Sequence, residues 1–422
     1  MERETSYIVG FDLGIKYAQI SYMGLEGGEG EVNDIPVCLC KRNGANQWFY
    51  GREAQKFFAG GKGILFENLA ELVLSGEKVV VEEQETDPEE LLALYIRKCL
   101  DSLAFYKEGA RVRALVIAVN DLSPRMIEAL EKVKEKALAD IEDVYFETRT
   151  ESLFYYTIHQ PKELWSYEVG VLDFSDGFLK TYRIKMNHKT KPVLTAIEEE
   201  VFEDMVIPDV FPGIMEKDLY LEKMDERLCE IVEKFLEGRI VTGIYLTGKI
   251  FEKEWYQRTL KLLCRNRRVF GGNNLYSKGA CYGGWDKVFP EEKEGNYLYL
   301  GREKLKCNIG INRMEHGRQL TEILLEGGIN WFDAEAEFFF MPGEDYHLPV
   351  VIVPPDGGRE RIVPIVLPEF PNRDQKSLKF KCRLSMASEK ELLVEIEDAG
   401  FGEFYAPTGR RFEETVSLGG GL

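Results

Sequence analysis

The sequence predicts an α/β domain followed by an antiparallel β-sandwich, and three observations support this fold class. The chain has 422 residues, which is enough for two or three domains of ordinary size. Strand-like runs alternate with helical periodicity up to about residue 290, as expected of an α/β domain. Beyond that point short strand-like runs are separated by proline and glycine turns, which is typical of an antiparallel sandwich.

Composition argues against several classes of protein. Apolar residues make up 44% and aromatic residues 12% of the chain, too much for a disordered polypeptide. The formal net charge of −19 argues against nucleic-acid binding, because phosphate neutralisation requires surplus lysine and arginine. No run approaches the ~20 apolar residues of a membrane span, and no secretory leader pattern is visible. Eight cysteines without a zinc-ligand spacing predict a reduced, cytoplasmic protein with no structural metal.

The first domain opens with a predicted β-hairpin. Residues 7–14 form an apolar strand that ends in Asp12-Leu13-Gly14, and residues 18–23 form the return strand. A further strand covers residues 34–42, and the chain then passes from strand to helix across Gly51. Two more helices are predicted from capping signals, one from Asp87-Pro88 to about residue 106 and one from Ser123-Pro124 to about residue 139. The elements that accompany them are strands over 113–120 and 143–146 and an aromatic helix over 150–160.

A second strand–turn–strand unit begins at residue 168. Its first strand ends in Asp173, Ser175-Asp176-Gly177 makes the turn, and residues 178–186 return. The elements predicted to complete the domain are a helix over 217–237, a strand over 243–246, a turn over 247–249 and a helix over 251–264.

Domain boundaries follow from a change in composition. The polar segment 291–303 is predicted to link a first domain, 1–290, to a sandwich domain, 304–416, with a disordered tail over 417–422. The predicted strands of the second domain are 304–312, 334–341, 348–353, 361–367, 378–385 and 392–397, with a proline-containing break at 368–371.

The candidate chemistry lies in two turns of the same design. Residues 12–16 and 173–177, which we name the acid–glycine turns, each place an aspartate and a glycine between a strand and its return strand. Backbone N–H groups of such turns can point at phosphate oxygens, and an aspartate at a strand end can hold Mg²⁺ through water. A third turn, Thr247-Gly248-Lys249, allows the backbone to approach a planar ligand closely. Each turn alone is also explained as an ordinary chain reversal, and that alternative stays open.

The order of these turns resembles the actin-like ATPase superfamily, and most closely the DnaK-type heat-shock chaperones. The segments that carry the resemblance are 12–14, 50–54, 113–119, 150–156, 173–177, 247–249 and 278–284. They resemble the family's phosphate loops, helix entry, connecting helices and adenosine turn. The resemblance implies a two-lobed, ribonuclease H-like domain that binds ATP with Mg²⁺.

The resemblance continues beyond the linker. Residues 305–311, 317–321 and above all 395–402 resemble the peptide-binding β-sandwich of the same chaperones. It implies an unfolded or extended peptide, or a protein client, as a partner. The resemblance ends before the helical lid of that family, and the first domain looks shorter than the family's usual one.

The site residues expected from the resemblance are those of the three turns. The expected nucleotide contacts are Asp12, Gly14, Ile15, Lys16, Asp173, Ser175, Asp176, Gly177, Gly248 and Lys249. Asp12 and Asp173 are expected to position Mg²⁺, and Lys16 is expected to reach the β- and γ-phosphates, as a lysine does in the corresponding loop of actin.

Several departures from the family pattern affect catalysis. In the second loop Ser175 and Asp176 replace glycines, and Asp176 adds a negative charge where phosphate is expected. The other departures are Gln55 in place of the catalytic lysine, Thr148 and Arg149 in place of a glutamate and a proline, Phe178 for threonine, Lys180 for aspartate and Phe251 for a base-stacking arginine. The sequence therefore identifies no catalytic residues, and whether the chain has weak ATPase activity stays open.

Three functional hypotheses follow. The first is a DnaK-like ATP-binding protein that couples nucleotide state to partner or peptide binding by the β-domain. The second is a degenerate pseudo-ATPase, a scaffold or interaction protein without nucleotide hydrolysis. The third is a chaperone that binds clients without a lid.

Overall fold

A computed structural model of the chain describes residues 6–107, 109–208, 213–293, 295–316, 318–343, 346–367 and 377–419. The chain is of mixed α/β class and divides into two compact units. The first unit contains Met1–Lys185 and Ile197–Glu294, and the second contains Met186–Ala196 and Gly295–Leu422. The division near residue 294 falls inside the predicted linker, whereas the assignment of residues 186–196 to the second unit was not expected.

The first unit begins with a five-stranded sheet and the helices that connect it. The elements in chain order are β1 (Ser6–Leu13), β2 (Tyr17–Gly24), β3 (Glu29–Pro36), β4 (Cys38–Arg42), β5 (Trp48–Tyr50), α1 (Gly51–Ala59), β6 (Gly63–Glu67), α2 (Leu69–Ser75), β7 (Val79–Val81), β8 (Gln84–Thr86), α3 (Pro88–Asp101), α4 (Ala104–Lys107), β9 (Arg111–Val119), α5 (Pro124–Ala137), β10 (Asp143–Thr148) and α6 (Arg149–Ile158). The predicted hairpin, the change from strand to helix at Gly51 and the start of α5 are confirmed; Ser123 caps α5 by accepting a hydrogen bond from the Met126 N–H. The sequence did not predict β6, α2, β7 or β8.

The strand order of this sheet is β10-β9-β1-β2-β3. In it β1 runs antiparallel to β2, with Asp12 opposite Gln19, and parallel to β9, with Asp12 opposite Ala118. The central strands are buried because helices cover their apolar side chains. Asp12 therefore lies at the carboxyl edge of the sheet, where open α/β sheets present their ligand sites.

A second sheet, most of which lies in the first unit, repeats the strand order of the first sheet in five of its six strands. Its elements, with the helices that follow, are β11 (Glu168–Asp173), β12 (Phe178–Asn187), β13 (Val193–Val206), α7 (Ile214–Leu236), β14 (Val241–Thr247), α8 (Gln257–Leu263), β15 (Arg268–Gly271) and α9 (Leu275–Val288). The order of its six strands is β15-β14-β11-β12-β13-β16, in which the sixth strand, β16 (Tyr297–Tyr299), pairs with the first residues of β13. Strand β11 runs antiparallel to β12 and parallel to β14. Asp173 pairs with Thr247 at the end of β11, so it holds the position in this sheet that Asp12 holds in the first.

Two predictions in this region need correction. The helix expected over 251–264 is a 3-10 turn, Lys249–Glu252, followed by the shorter α8. The helix is interrupted because the Trp255 indole N–H donates to the Ile250 carbonyl at 2.9 Å, while the Asp225 carboxylate of α7 caps α8. The long strand β13 was missed because its acidic residues obscure the alternation of apolar side chains.

Helices α6 and α9 cross closely in the first unit. A Cβ added to Gly279 would lie 2.0 Å from the Ser152 carbonyl oxygen, so only glycine allows this approach of the two backbones. The crossing fixes α6, whose first residue, Arg149, contacts Asp12 near the end of β1 and Asp176 in the turn after β11.

The second unit contains two four-stranded antiparallel sheets. Its elements are β16 (Tyr297–Tyr299), which pairs with the first residues of β13, then β17 (Asn308–Glu315), β18 (Arg318–Leu325), β19 (Glu335–Phe340), β20 (His347–Val353), β21 (Arg361–Val366), β22 (Phe380–Ser388), β23 (Glu391–Asp398) and β24 (Arg411–Ser417). The sheet orders are β18-β17-β20-β21 and β19-β22-β23-β24, and buried side chains from both sheets form one core cluster. The sequence did not predict β16, β18 or β24.

Two predictions about the ends of this unit are also corrected. The linker 291–303 contains β16, because Tyr297 pairs with Val193. The tail over 417–422 begins inside β24, and Leu418 is buried with its N–H donated to the Lys390 carbonyl. The break at 368–371 lies outside the described residues, as does Gly317 of the segment 317–321. None of the helices in the described ranges is long and apolar enough to cross a membrane.

Candidate functional site

The carboxyl ends of the two sheets of the first unit border one cleft of about 310 Å³. The predicted site residues that line it are Asp12, Lys16, Ser175, Gly177, Gly248 and Lys249. The lining residues that the sequence did not predict as site residues are Tyr17, Gln19, Asp34, Arg149, Phe174, Ile207, Ile250, Glu252, Lys253 and Asn273. The structure thus brings the two acid–glycine turns together.

Arg149 occupies the space between the two turns. It is the first residue of α6, and its Nε and Nη2 donate to the Asp12 carboxylate oxygens at 2.7 and 3.1 Å. Both side chains are almost fully buried, 4% and 3% exposed. This bidentate geometry satisfies the Asp12 carboxylate from within the protein.

Asp176 contacts the other side of the same guanidinium. Arg149 Nη1 lies 3.2 Å from Asp176 Oδ1, and Lys180 Nζ lies 2.7 Å from Oδ2. Burial opposes ionisation of Asp176, but Arg149 and Lys180 hold the pKa of its carboxyl below the usual value. The negative charge that the sequence placed at the expected phosphate position is therefore neutralised by two internal cations.

Asp173 is engaged by neutral donors. Its Oδ1 accepts the Ser175 N–H at 2.7 Å, and its Oδ2 accepts the Tyr276 hydroxyl at 2.6 Å. Burial, with Asp173 nearby, raises the pKa of Tyr276 far above its usual value, so the phenol keeps the proton that it donates. The Tyr276 ring also faces the Arg149 guanidinium, 4.7 Å from the ring centroid.

These contacts do not fit the expected Mg²⁺ site. Mg²⁺ prefers near-octahedral oxygen ligands at about 2.0–2.1 Å, with carboxylates free to face it. The oxygens of Asp12 and Asp173 instead accept protein donors, and a guanidinium lies where a cation would contact Asp12. Within the described part of the chain, no group of three or more His, Cys, Asp or Glu side chains is arranged to hold a metal ion.

The first turn leaves room for Arg149. A Cβ added to Gly14 would lie 2.6 Å from Arg149 Nη2, so the absence of a side chain here admits the guanidinium. Lys16 is exposed on the cleft side of the turn and has no ion pair or hydrogen bond from its side chain to any described residue. The predicted contacts that do not line the cleft are Gly14, Ile15, Asp173 and Asp176.

The third turn borders the opposite side of the cleft. The Gly248 N–H donates to Asn273 Oδ1 at 3.0 Å, and Lys249 Nζ lies 3.4 Å from Asp34 Oδ1 and 3.8 Å from the centroid of the Tyr17 ring. Phe251 is buried and packs against Trp255, so it does not replace the base-stacking arginine of the resembling family.

The cleft is less negative than the chain as a whole. Its lining has one cationic side chain more than carboxylates, Lys16, Arg149, Lys249 and Lys253 against Asp12, Asp34 and Glu252. The buried Asp173, Asp176 and Lys180 next to the lining bring the balance to zero, whereas the chain carries a net charge of −19. In addition, the Gln19 Oε1 atom is buried without a hydrogen-bond partner among the described residues. The exposed lysines of the lining favour an anionic group on a ligand, and Gln19 Oε1 favours a ligand that also has a hydrogen-bond donor.

A pH dependence follows from Asp12. Burial raises its pKa from 3.8 to about 6, although Arg149 opposes the shift. Between pH 3.8 and about pH 6 the folded protein therefore retains this proton, whereas the unfolded chain has lost it. The raised pKa of Asp12 contributes stability to the folded state that is complete below pH 3.8 and is lost as the pH rises through about 6. We expect the stability of the wild type relative to Asp12→Asn to fall by about 3 kcal/mol over that interval, measured by urea unfolding. Parallel pH profiles for the two proteins would contradict this expectation.

Sequence reasoning noted Arg149 and Lys180 only as departures and did not consider Tyr276. The available signal was charge balance, because Asp12, Asp173 and Asp176 were all expected in one cleft and buried carboxylates require cations or donors nearby. Arg149 directly precedes the segment 150–156, which itself contains no arginine. A search of this region for the compensating arginine would therefore have found Arg149.

Comparison with known families gives two matches. A model described as "Family of unknown function (DUF5716) C-terminal" matches residues 25–302, and one described as "Domain of unknown function (DUF8552)" matches residues 304–418. A comparison with curated proteins finds no match.

Proposed function

We propose that the chain, which belongs to the DUF5716 C-terminal family of unknown function, is an actin-like protein. We propose further that its cleft binds an adenine nucleotide or a similar anion without hydrolysing it. The proposal includes an actin-like, two-lobed form for the first unit and a β-sandwich form for the second. The repeated strand order of the two sheets in the first unit supports the former, and the shared core of two antiparallel sheets supports the latter.

We infer the absence of hydrolysis from the contacts of Arg149, which bridges Asp12 and Asp176. Phosphoryl transfer depends on positioned cations on the phosphates and on a group that orients the attacking water. In this cleft the carboxylates of both acid–glycine turns are committed to protein donors. Each oxygen of Asp12 and Asp173 already accepts a protein donor, so neither carboxylate is an unengaged general base for a water molecule.

Binding of an anion has separate support. Lys16 and Lys253 each present an exposed ammonium without a hydrogen-bond or ion-pair partner among the described residues. The ring of Tyr17, 38% exposed with Lys249 over one face, adds an aromatic surface beside them. These features match an anion with an aromatic part, such as an adenine nucleotide.

Titration of the full chain with ATP in EDTA, followed by calorimetry and melting temperature, tests the proposal. We expect saturable binding, a raised melting temperature and no release of phosphate. Lys16→Ala is expected to weaken binding at least tenfold, whereas Lys261→Ala, an exposed lysine of α8 outside the cleft, is expected to leave it unchanged. Failure of ATP and ADP to bind, or phosphate release that Asp12→Asn abolishes, would contradict the proposal.

The second candidate is a scaffold that binds no nucleotide. It is favoured by the self-contained network of Asp12, Arg149 and Asp176, which is satisfied without a ligand. The same titration separates the candidates, because the scaffold predicts no heat with any nucleotide.

For both candidates we propose that the second unit binds a peptide or protein partner. We also propose that the protein is cytoplasmic, where its eight free cysteines would stay reduced.

A further inference from the structure

We propose that the guanidinium of Arg149 is a permanent internal substitute for a divalent cation, so that the cleft works without metal. This inference deepens the proposed function and rests on the cleft being its ligand site. Its test uses metal alone, so that its failure is distinguishable from a failure of nucleotide binding.

Arg149 links the two acid–glycine turns directly. One guanidinium donates to carboxylates from both acid–glycine turns, through Nε and Nη2 to Asp12 and through Nη1 to Asp176. A divalent cation between two carboxylates makes the same kind of link, because it also joins acidic oxygens that would otherwise repel one another. Arg149 thus performs the linking role with hydrogen bonds in place of coordination.

The residues around the guanidinium of Arg149 support it from several sides. Gly14 leaves the room that Nη2 occupies, and the Tyr276 ring supports the guanidinium face at 4.7 Å while its hydroxyl holds Asp173. The position of Arg149 at the start of α6 is fixed in turn by Thr148, whose hydroxyl accepts the Glu151 N–H. A side chain supported on several sides is part of the fold and does not leave when a ligand arrives.

The charge at the two turns is also supplied by the protein itself. A guanidinium carries one positive charge and cannot be removed by a chelator, and its pKa keeps it charged throughout the physiological range. Lys180, 2.7 Å from Asp176, supplies a second fixed charge beside it. Together they bring to the acid–glycine turns the two charges that one divalent ion would bring.

The experiment measures the melting temperature of the full chain with and without millimolar Mg²⁺, Mn²⁺ or Ca²⁺. The wild type is expected to show no metal-specific shift relative to ionic-strength controls. Arg149→Ala removes the guanidinium and opens the space between the carboxylates, so the metals are expected to raise its melting temperature by about 2–4 °C. The double variant Arg149→Ala/Asp12→Asn is expected to lose that rise, which assigns it to Asp12.

Absence of a metal-dependent rise in folded Arg149→Ala would overturn the proposal, as would an equal rise in the double variant. If Arg149→Ala does not fold with or without metal, the wild type decides the question through Mn²⁺ relaxation enhancement of water protons. Saturable Mn²⁺ binding that is lost in Asp12→Asn overturns the proposal, and its absence supports it.

Discussion

Replacing Arg149 with methionine is expected to lower the free energy of unfolding by about 3–5 kcal/mol, because it leaves a buried carboxylate without its cation. Asp12 loses both of its guanidinium donors, whereas Asp176 keeps Lys180. The loss is expected to be smaller at low pH, since protonation of Asp12 removes the uncompensated charge. Urea unfolding of the full chain at about pH 5 and pH 8 measures both effects.

Two variants provide the controls for this prediction. Arg227→Met removes an arginine of α7 whose ion pairs with Asp204 and Glu230 are largely exposed, and it is expected to cost about 1 kcal/mol or less. Arg149→Met/Asp12→Asn removes both partners, and its loss is expected to be smaller than the sum of the two single losses. Equal costs for Arg149→Met and Arg227→Met would show that the buried bridge does not stabilise the fold.

The second large effect is expected for Lys287→Met. Lys287 of α9 lies 2.8 Å from Glu147 Oε2, at the end of β10, and 3.3 Å from Glu151 Oε1, in α6. Both carboxylates are buried, so the shared ammonium compensates two charges in the interior. Its removal is expected to lower the free energy of unfolding by about 3–5 kcal/mol.

The pKa values of Glu147 and Lys287 predict how the stability of this variant depends on pH. Burial raises the pKa of Glu147 even with Lys287 beside it, and, although burial disfavours the charge on Lys287, the two glutamates hold its pKa well above the usual range. Without Lys287, the pKa of Glu147 is expected to rise further, so the variant should recover stability as the pH falls. The matched control is Lys381→Met, whose exposed pair with Glu337 should contribute about 1 kcal/mol or less. A pH-independent loss in Lys287→Met would exclude an electrostatic origin.

The parts of the fold that the sequence predicted are those with strong local signals. The β1–β2 hairpin combines an apolar run with a glycine turn, and α5 begins at Ser123, whose side chain caps it. Local signals failed where tertiary contacts changed the outcome. At Trp255, burial and a hydrogen bond to Ile250 interrupt a helix that periodicity alone extends.

For the candidate site, the sequence identified the two turns but not how their charges are balanced. Asp12, Asp173 and the glycines were recognised because an acid and a glycine at a strand end form a local pattern. Asp176 was identified as a source of repulsion, and the structure shows why this does not arise, since Arg149 and Lys180 both contact it. Neither contact is visible in a pattern of residue types along the chain.

The amino-acid sequence by itself determined the α/β class of the protein, most strands of the sheets and the position of both acid–glycine turns, because each depends on neighbours within a few residues. Tertiary structure alone decided that Arg149, 137 residues from Asp12, fills the space between the turns. The physical reason is that burial makes an unpaired carboxylate costly, and only the folded chain brings a distant guanidinium close enough to remove that cost.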